Sequence, residues 1–108
     1  MQAAPGYCPL GPALVTTDEI TDPHSLPCRT RVNGEQWQGS NTEQLVHNVD
    51  ACVSYCSQFF KLLPGDVILT GTPPGVGCFH KPEPRFLKVG DVCEVEIDGI
   101  GTLSNKVS

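Results

Sequence analysis

Cys28-Arg-Thr-Arg-Val-Asn-Gly-Glu-Gln-Trp-Gln38 decides the fold class. Asn33-Gly34 separates two runs of extended-chain composition. An Asn-Gly pair in that setting is the strongest short-range hairpin signal, because a type I′ turn demands φ > 0 at both central residues. Strand alternation places Cys28, Thr30 and Val32 on one face and Arg29 and Arg31 on the other, where the two arginines read as a solvated face.

A second hairpin follows toward the C-terminus. Phe86-Leu-Lys-Val-Gly-Asp91 leads into Val92-Cys-Glu-Val-Glu-Ile97, and beyond Asp98-Gly99 the chain returns through Ile100-Gly-Thr-Leu-Ser-Asn-Lys-Val107. Cys93, Val95 and Ile97 alternate with Val92, Glu94 and Glu96, the pattern of a half-buried strand. Glu94 and Glu96 form a paired-carboxylate motif. Carboxylates two apart on a strand project to one side and could share a hard divalent cation. No third oxygen ligand accompanies them, so they are assigned to the solvent side of the strand rather than to a metal.

Between the hairpins lies Leu63-Pro-Gly-Asp-Val-Ile-Leu-Thr-Gly-Thr-Pro-Pro-Gly-Val-Gly77. Pro64-Gly65 is a turn pair, and Val67-Ile68-Leu69 reads as a short strand buried on both faces. Thr70-Gly71-Thr72-Pro73-Pro74-Gly75 stops it. Exposed amides and threonine hydroxyls in such a loop can meet carboxylate oxygens. A tight structural turn with no ligand is the alternative that composition leaves open.

Upstream, apolar residues at Cys52, Val53, Cys56, Phe59, Phe60 and Leu63 follow helical spacing. One amphipathic helix is therefore expected from Val49 to Leu63, ended by Pro64 and packing its aromatics into the core. Ser40 with Glu43 has capping-box spacing, and Asn48 is a second candidate cap. His47, Cys52 and Cys56 could align as metal ligands, but the paired half-site of a zinc centre is missing. Tyr7 to Thr16 reads as a loop entering a short strand, Thr17 to Pro27 as a polar connection. Gly77 to Arg85 reads as a proline-rich loop with His80 exposed.

Composition bounds the rest. One domain at most fits in 108 residues. Eleven glycines and ten prolines call for many tight turns, and charged residues are only 18%. A net charge of −5 argues against nucleic acid or an anionic membrane as partner. No apolar run reaches the length of a membrane span, and the first residues lack both the basic start and apolar core of a signal peptide and the arginine-rich pattern of a transit peptide. A soluble intracellular protein is expected, cytoplasmic or mitochondrial. In that setting Cys8, Cys28, Cys52, Cys56, Cys78 and Cys93 should be reduced and mostly buried thiols.

Two longer strings carry a family resemblance. Gly65-Asp-Val-Ile-Leu-Thr-Gly-Thr-Pro-Pro-Gly-Val-Gly77, followed by Leu87-Lys-Val-Gly-Asp-Val-Cys-Glu-Val-Glu-Ile-Asp-Gly-Ile-Gly101, strongly resembles the fumarylacetoacetate hydrolase family, most of all its domain-containing proteins. Cys8-Pro-Leu-Gly-Pro-Ala-Leu-Val-Thr16, Arg31-Val-Asn-Gly-Glu35 and Gln38-Gly-Ser-Asn-Thr42 fit the same family. The resemblance implies part of a mostly β sandwich-roll fold with one short helix. It also implies a homodimer in the full-length form and a small carboxylate substrate. Members hydrolyse C–C bonds, decarboxylate or tautomerise small 2-oxo acids with Mg²⁺ or Mn²⁺. The family's substrate-carboxylate threonine corresponds to Thr72, with Gly71 beside it.

The same comparison implies omissions. The family's Glu-x-Glu and Asp metal ligands come earlier than anything present, so Glu94 and Glu96 cannot replace them. Its catalytic lysine falls at Gln2, and Pro5 stands where many members have Asp. Residues 7–108 therefore look like the C-terminal part of the family domain behind an unrelated start, 1–6. No catalytic or metal residue is assigned, and the cation is not expected on this chain alone. An inactive remnant that keeps the carboxylate loop and a dimer surface is the alternative. In a partial domain Leu14, Phe60, Val67 and Leu69 should be less protected than their pattern implies.

Overall fold

The computed structural model describes residues 6–108, so Gln2 and Pro5 lie outside the described residues. Strands β1 (Pro27–Val32) and β2 (Glu35–Asn41) form the first hairpin. Asn33 (φ 51°) and Gly34 (φ 81°) supply the two positive angles of its turn. Asn33 also reaches across to the second hairpin. Its Oδ1 accepts from the Val92 amide at 2.9 Å and its Nδ2 donates to Asp91 Oδ1 at 2.9 Å. The register shifts between Thr30, opposite Gln38, and Arg31, opposite Gln36. Trp37 is thus the extra residue of a β-bulge in β2.

Strands β3 (Val92–Ile97) and β4 (Gly101–Lys106) form the second hairpin, and β3 pairs antiparallel with β1. The result is one four-stranded antiparallel sheet in the order β2-β1-β3-β4. With one short helix beside it, the chain is mostly β, as expected. Register puts Cys28, Thr30 and Val32 of β1 opposite Ile97, Val95 and Cys93 of β3, forming the less polar face. The other face carries Arg29 opposite Glu96 and Arg31 opposite Glu94.

That second face is not simply solvated. Glu96 accepts from Arg29 at 2.9 Å and from Arg31 at 2.6 Å, and Arg29 also reaches Asp98 at 3.0 Å. Arg29, Arg31 and Glu96 side chains are 28%, 32% and 24% exposed. The cross-strand register brings opposite charges together, a pairing that alternation within one strand cannot reveal.

Helix α1 (Val49–Ser57) starts where Asn48 Oδ1 accepts from the Ala51 amide at 2.8 Å. Ser40 caps nothing, because it lies in β2. Asn41 instead caps a 3₁₀ turn over Thr42–Gln44. The helix ends at Ser57 rather than Leu63. Phe59 and Phe60 both bond back to the Cys56 carbonyl at 3.0 Å, and their rings stay 63% and 67% exposed. Without a packed surface to bury them, nothing favours another helical turn.

Two expected strands are absent from the described residues. Neither the segment after Tyr7 nor Val67–Leu69 pairs with the sheet. Leu14 is 96% exposed, and Val67 and Leu69 more than half, the lack of protection expected of a partial domain. Among the described residues Val32, 5% exposed, is the one buried hydrophobe. The accessible surface of 8308 Å² exceeds the roughly 5,800 Å² expected for a folded monomer of this mass.

Candidate functional site

The Gly/Thr/Pro loop lies over the less polar sheet face. Its approach is fixed by the Pro64-Gly65 turn, in which the Asp66 amide donates to the Leu63 carbonyl at 3.0 Å. Asp66 Oδ2 accepts from the Leu63 amide at 2.8 Å. Beyond Thr70–Pro74 the chain closes on the bulge of β2. Gly75 (φ 106°) sits so near this strand that a Cβ would collide with the Trp37 carbonyl oxygen. One residue on, Gln38 Nε2 donates to Pro73 O at 2.8 Å and to Thr72 Oγ1 at 3.0 Å. The bulge and its next side chain together hold the loop.

Beneath the loop is a cavity of about 650 Å³. Cys28, Thr30, Val95 and Ile97 form its floor, Thr70–Pro74 one wall, and Ser40–Thr42 with Leu45–His47 the other. Gly71 and Thr72 both line it. Its polar groups are mostly neutral: the Thr70 and Thr72 hydroxyls, Ser40, Asn41, Thr42 and the Gln38 amide. Arg29 borders it, yet the Arg29 guanidinium is committed to Glu96 and Asp98. Uncharged donors around an apolar floor suit a small carbon skeleton with an oxygen-rich end.

Gln38 separates this space from a second cavity of about 470 Å³ bordered by Val32, Trp37, Val76, Phe86 and Leu87. At its edge Arg85 lies 4.6 Å from the Trp37 ring and grips both Glu35 oxygens at 2.8 and 2.7 Å. The Arg85 hydrogen bond holds the Glu35 carboxyl below the usual carboxylate range. His80, expected to be exposed, is half-buried with Nε2 3.4 Å from Arg85 Nη1. The loop folds back there because the Arg85 amide donates to the Gly77 carbonyl at 2.8 Å.

A divalent cation does not fit the donors present. Both Glu96 oxygens are taken by guanidinium groups, and the Arg31 hydrogen bond above all lowers its pKa. Cys52 Sγ lies 3.8 Å from the His47 carbonyl oxygen rather than joining its imidazole. Among the described residues no three His, Cys, Asp or Glu side chains gather to hold a metal ion. All six thiols are free, but Cys8 and Cys78 are exposed and the other four only half-buried. Cys28 and Cys93 are less buried than expected because the sheet face is thinly covered. Gln38 belongs to a family-like motif, but its role in organising the loop cannot be read from the sequence, since its partners lie 34 and 35 residues away.

Comparison with known proteins places this geometry. Residues 1–108 match the family model described as fumarylacetoacetate (FAA) hydrolase C-terminal. Over 101 residues the chain is 59% identical to the mitochondrial oxaloacetate tautomerase fahd2 of Xenopus laevis, covering 94% of this chain and 31% of that protein. The fumarylacetoacetate hydrolase EaFAH of psychrophilic Exiguobacterium antarcticum superposes with a TM-score of 0.91 at 46% identity, covering 95% of this chain and 36% of that one. The maleylpyruvate hydrolase of Sphingobium sp. SYK-6, in complex with manganese(II) ion and pyruvate, gives 0.83 at 36% identity, covering 94% and 35%. The chain thus spans about a third of the length of these relatives.

Proposed function

The chain belongs to the fumarylacetoacetate hydrolase family, and on that premise we propose that its Thr70–Pro74 loop holds the carboxylate of a small 2-oxo acid, with Thr72 and Gly71 meeting it. The observation that carries this reading is the Thr72 hydroxyl at the cavity wall, braced from behind by Gln38. Gly71 (φ 105°) has no heavy atom within 4 Å of where a Cβ would stand, which leaves its backbone open to a ligand oxygen. A solved relative in complex with pyruvate supports the ligand class. Calorimetric titration with pyruvate tests it. Saturable binding that weakens by about tenfold or more in Thr72→Val supports the reading, since a hydrogen bond to a charged group is worth roughly 1.5–3 kcal/mol. Binding unchanged in that variant overturns it.

The whole protein's reaction is proposed to be hydrolysis, decarboxylation or tautomerisation of such acids. In this chain the loop orients and does not turn over. Among the described residues no carboxylate borders the cavity, so nothing they place on its walls would hold a cation against charge developing on a substrate oxygen. Residues 7–108 act in this reading as the C-terminal part of the family domain. A homodimer is the assembly proposed, in keeping with the exposed Val46 and Phe60. No helix among the described residues is long and apolar enough to cross a membrane.

A further inference from the structure

We infer that Gln38 is a positioning residue for this loop: it fixes the Thr72 hydroxyl as a hydrogen-bond donor into the cavity and so selects ligands presenting an unprotonated oxygen. The inference rests on the carboxylate reading of the loop. It begins with Pro73, whose carbonyl can only accept. The Gln38 amide atom 2.8 Å from that oxygen must therefore be nitrogen, since an amide oxygen there would face another oxygen with no proton between them. This settles the orientation of the amide. Its second hydrogen is directed at Thr72 Oγ1, 3.0 Å away. Thr72 accepts that bond, and its own proton must point elsewhere. No protein acceptor for it is found among the described residues, and the cavity is the space it borders.

Backbone and side chain act together in this device. The bulge at Trp37 breaks the β1–β2 register, and Gly75 rests against the Trp37 carbonyl. That contact brings Thr72 and Pro73 within reach of the next side chain of β2. Without Gln38 the threonine hydroxyl could rotate and present a lone pair as readily as a proton. A carboxylate or ketone oxygen would then meet a donor only part of the time. Glutamate at this position would reverse the polarity: it would oppose the Pro73 carbonyl and draw the Thr72 proton to itself. A residue that only filled space between the two cavities would show no such dependence on protonation.

The test uses the full 108-residue chain with pyruvate as probe, titrated calorimetrically between pH 7 and 4.5. Gln38→Glu should weaken binding at pH 7 by at least about tenfold. Part of the loss should be recovered as the introduced carboxyl protonates toward the ordinary glutamate value of about 4.3, while pyruvate stays ionised. Gln38→Met should weaken binding by about three- to tenfold with no recovery at low pH. If Gln38→Glu does not fold, the methionine variant carries the test, and wild-type affinity in it overturns the inference. Wild-type affinity in both variants, with Thr72→Val still defective, overturns the role of Gln38 and leaves the site standing. No pyruvate binding by the wild-type chain, or binding indifferent to Thr72→Val, overturns the site reading itself.

Discussion

Alanine at Gly75 should destabilise the chain more than alanine at Gly71, although the two positions share almost the same backbone angle, φ 106° and 105°. Both substitutions force an L side chain into a left-handed conformation, at about 1–2 kcal/mol. At Gly71 the cost ends there, because nothing lies within 4 Å of the new Cβ. At Gly75 the Cβ also strikes the Trp37 carbonyl and comes within 3.1 Å of Gln38 Cγ. A backbone carbonyl in a paired strand cannot swing aside as a long side chain can, so an overpacking penalty of about 1–3 kcal/mol is added. The expected totals are about 1–2 kcal/mol for Gly71→Ala and about 2–5 for Gly75→Ala. Urea unfolding followed by fluorescence measures both. The single tryptophan, Trp37, stands at the contact itself. Equal midpoints for the two variants would refute the docking of this loop on the bulge.

Further predictions follow from other parts of the fold. Asn33→Ala should cost about 2–3 kcal/mol in the same unfolding assay, since it places alanine at φ 51° and removes the bonds to Val92 and Asp91; a loss under about 0.5 kcal/mol would contradict the cross-hairpin role. Glu96 and Glu35 are held below the usual carboxylate range by Arg31 and Arg85 respectively. Their contribution is complete above the unfolded value near pH 4.3 and is lost as pH falls through the depressed folded values. The urea midpoint should therefore be flat from pH 7 to 5 and drop below about pH 4, with a shallower drop in Arg31→Met; a midpoint rising in acid would reverse this sign. Supplied with oxaloacetate and Mg²⁺ or Mn²⁺, the chain alone should show no turnover above background. Metal-dependent turnover lost in a Glu94→Gln/Glu96→Gln double variant would make that pair a true site.

What was legible in the sequence depended on whether the cause was local. Asn33-Gly34 specifies its own turn, and the hairpin stands where that pair puts it. Gly65-Asp66-Val67 and Gly90-Asp91-Val92 show the limit. Both make the same turn: Asp66 bonds back to Leu63, Asp91 to Lys88, with Gly65 and Gly90 both at φ 97°. Val92 then enters a strand because β1 and β4 lie beside it, whereas Val67 finds no neighbour and stays irregular. An apolar run is a strand only when another strand takes its hydrogen bonds. The helix shortened for a related reason, since Phe59 and Phe60 have the spacing of a buried stripe but no surface to cover. The Gly/Thr/Pro loop is itself a local signal for an anion, while Thr72, with Gly71 beside it, is singled out by the family resemblance. The part played by Gln38 could not be read from either, because it rests on a register shift between two strands and a contact 34 residues away.

The central claim, that Thr72 and its loop hold a small carboxylate, is tested most directly by amide NMR on the ¹⁵N-labelled chain titrated with pyruvate. Saturable shifts should appear at Thr70, Gly71, Thr72 and the Gln38 side-chain amide, while the Asn33-Gly34 turn at the far end of the hairpin stays still. In Thr72→Val the same shifts should need at least about tenfold more pyruvate. Shifts centred on Arg85 and His80 instead, or unaltered in Thr72→Val, would contradict the account.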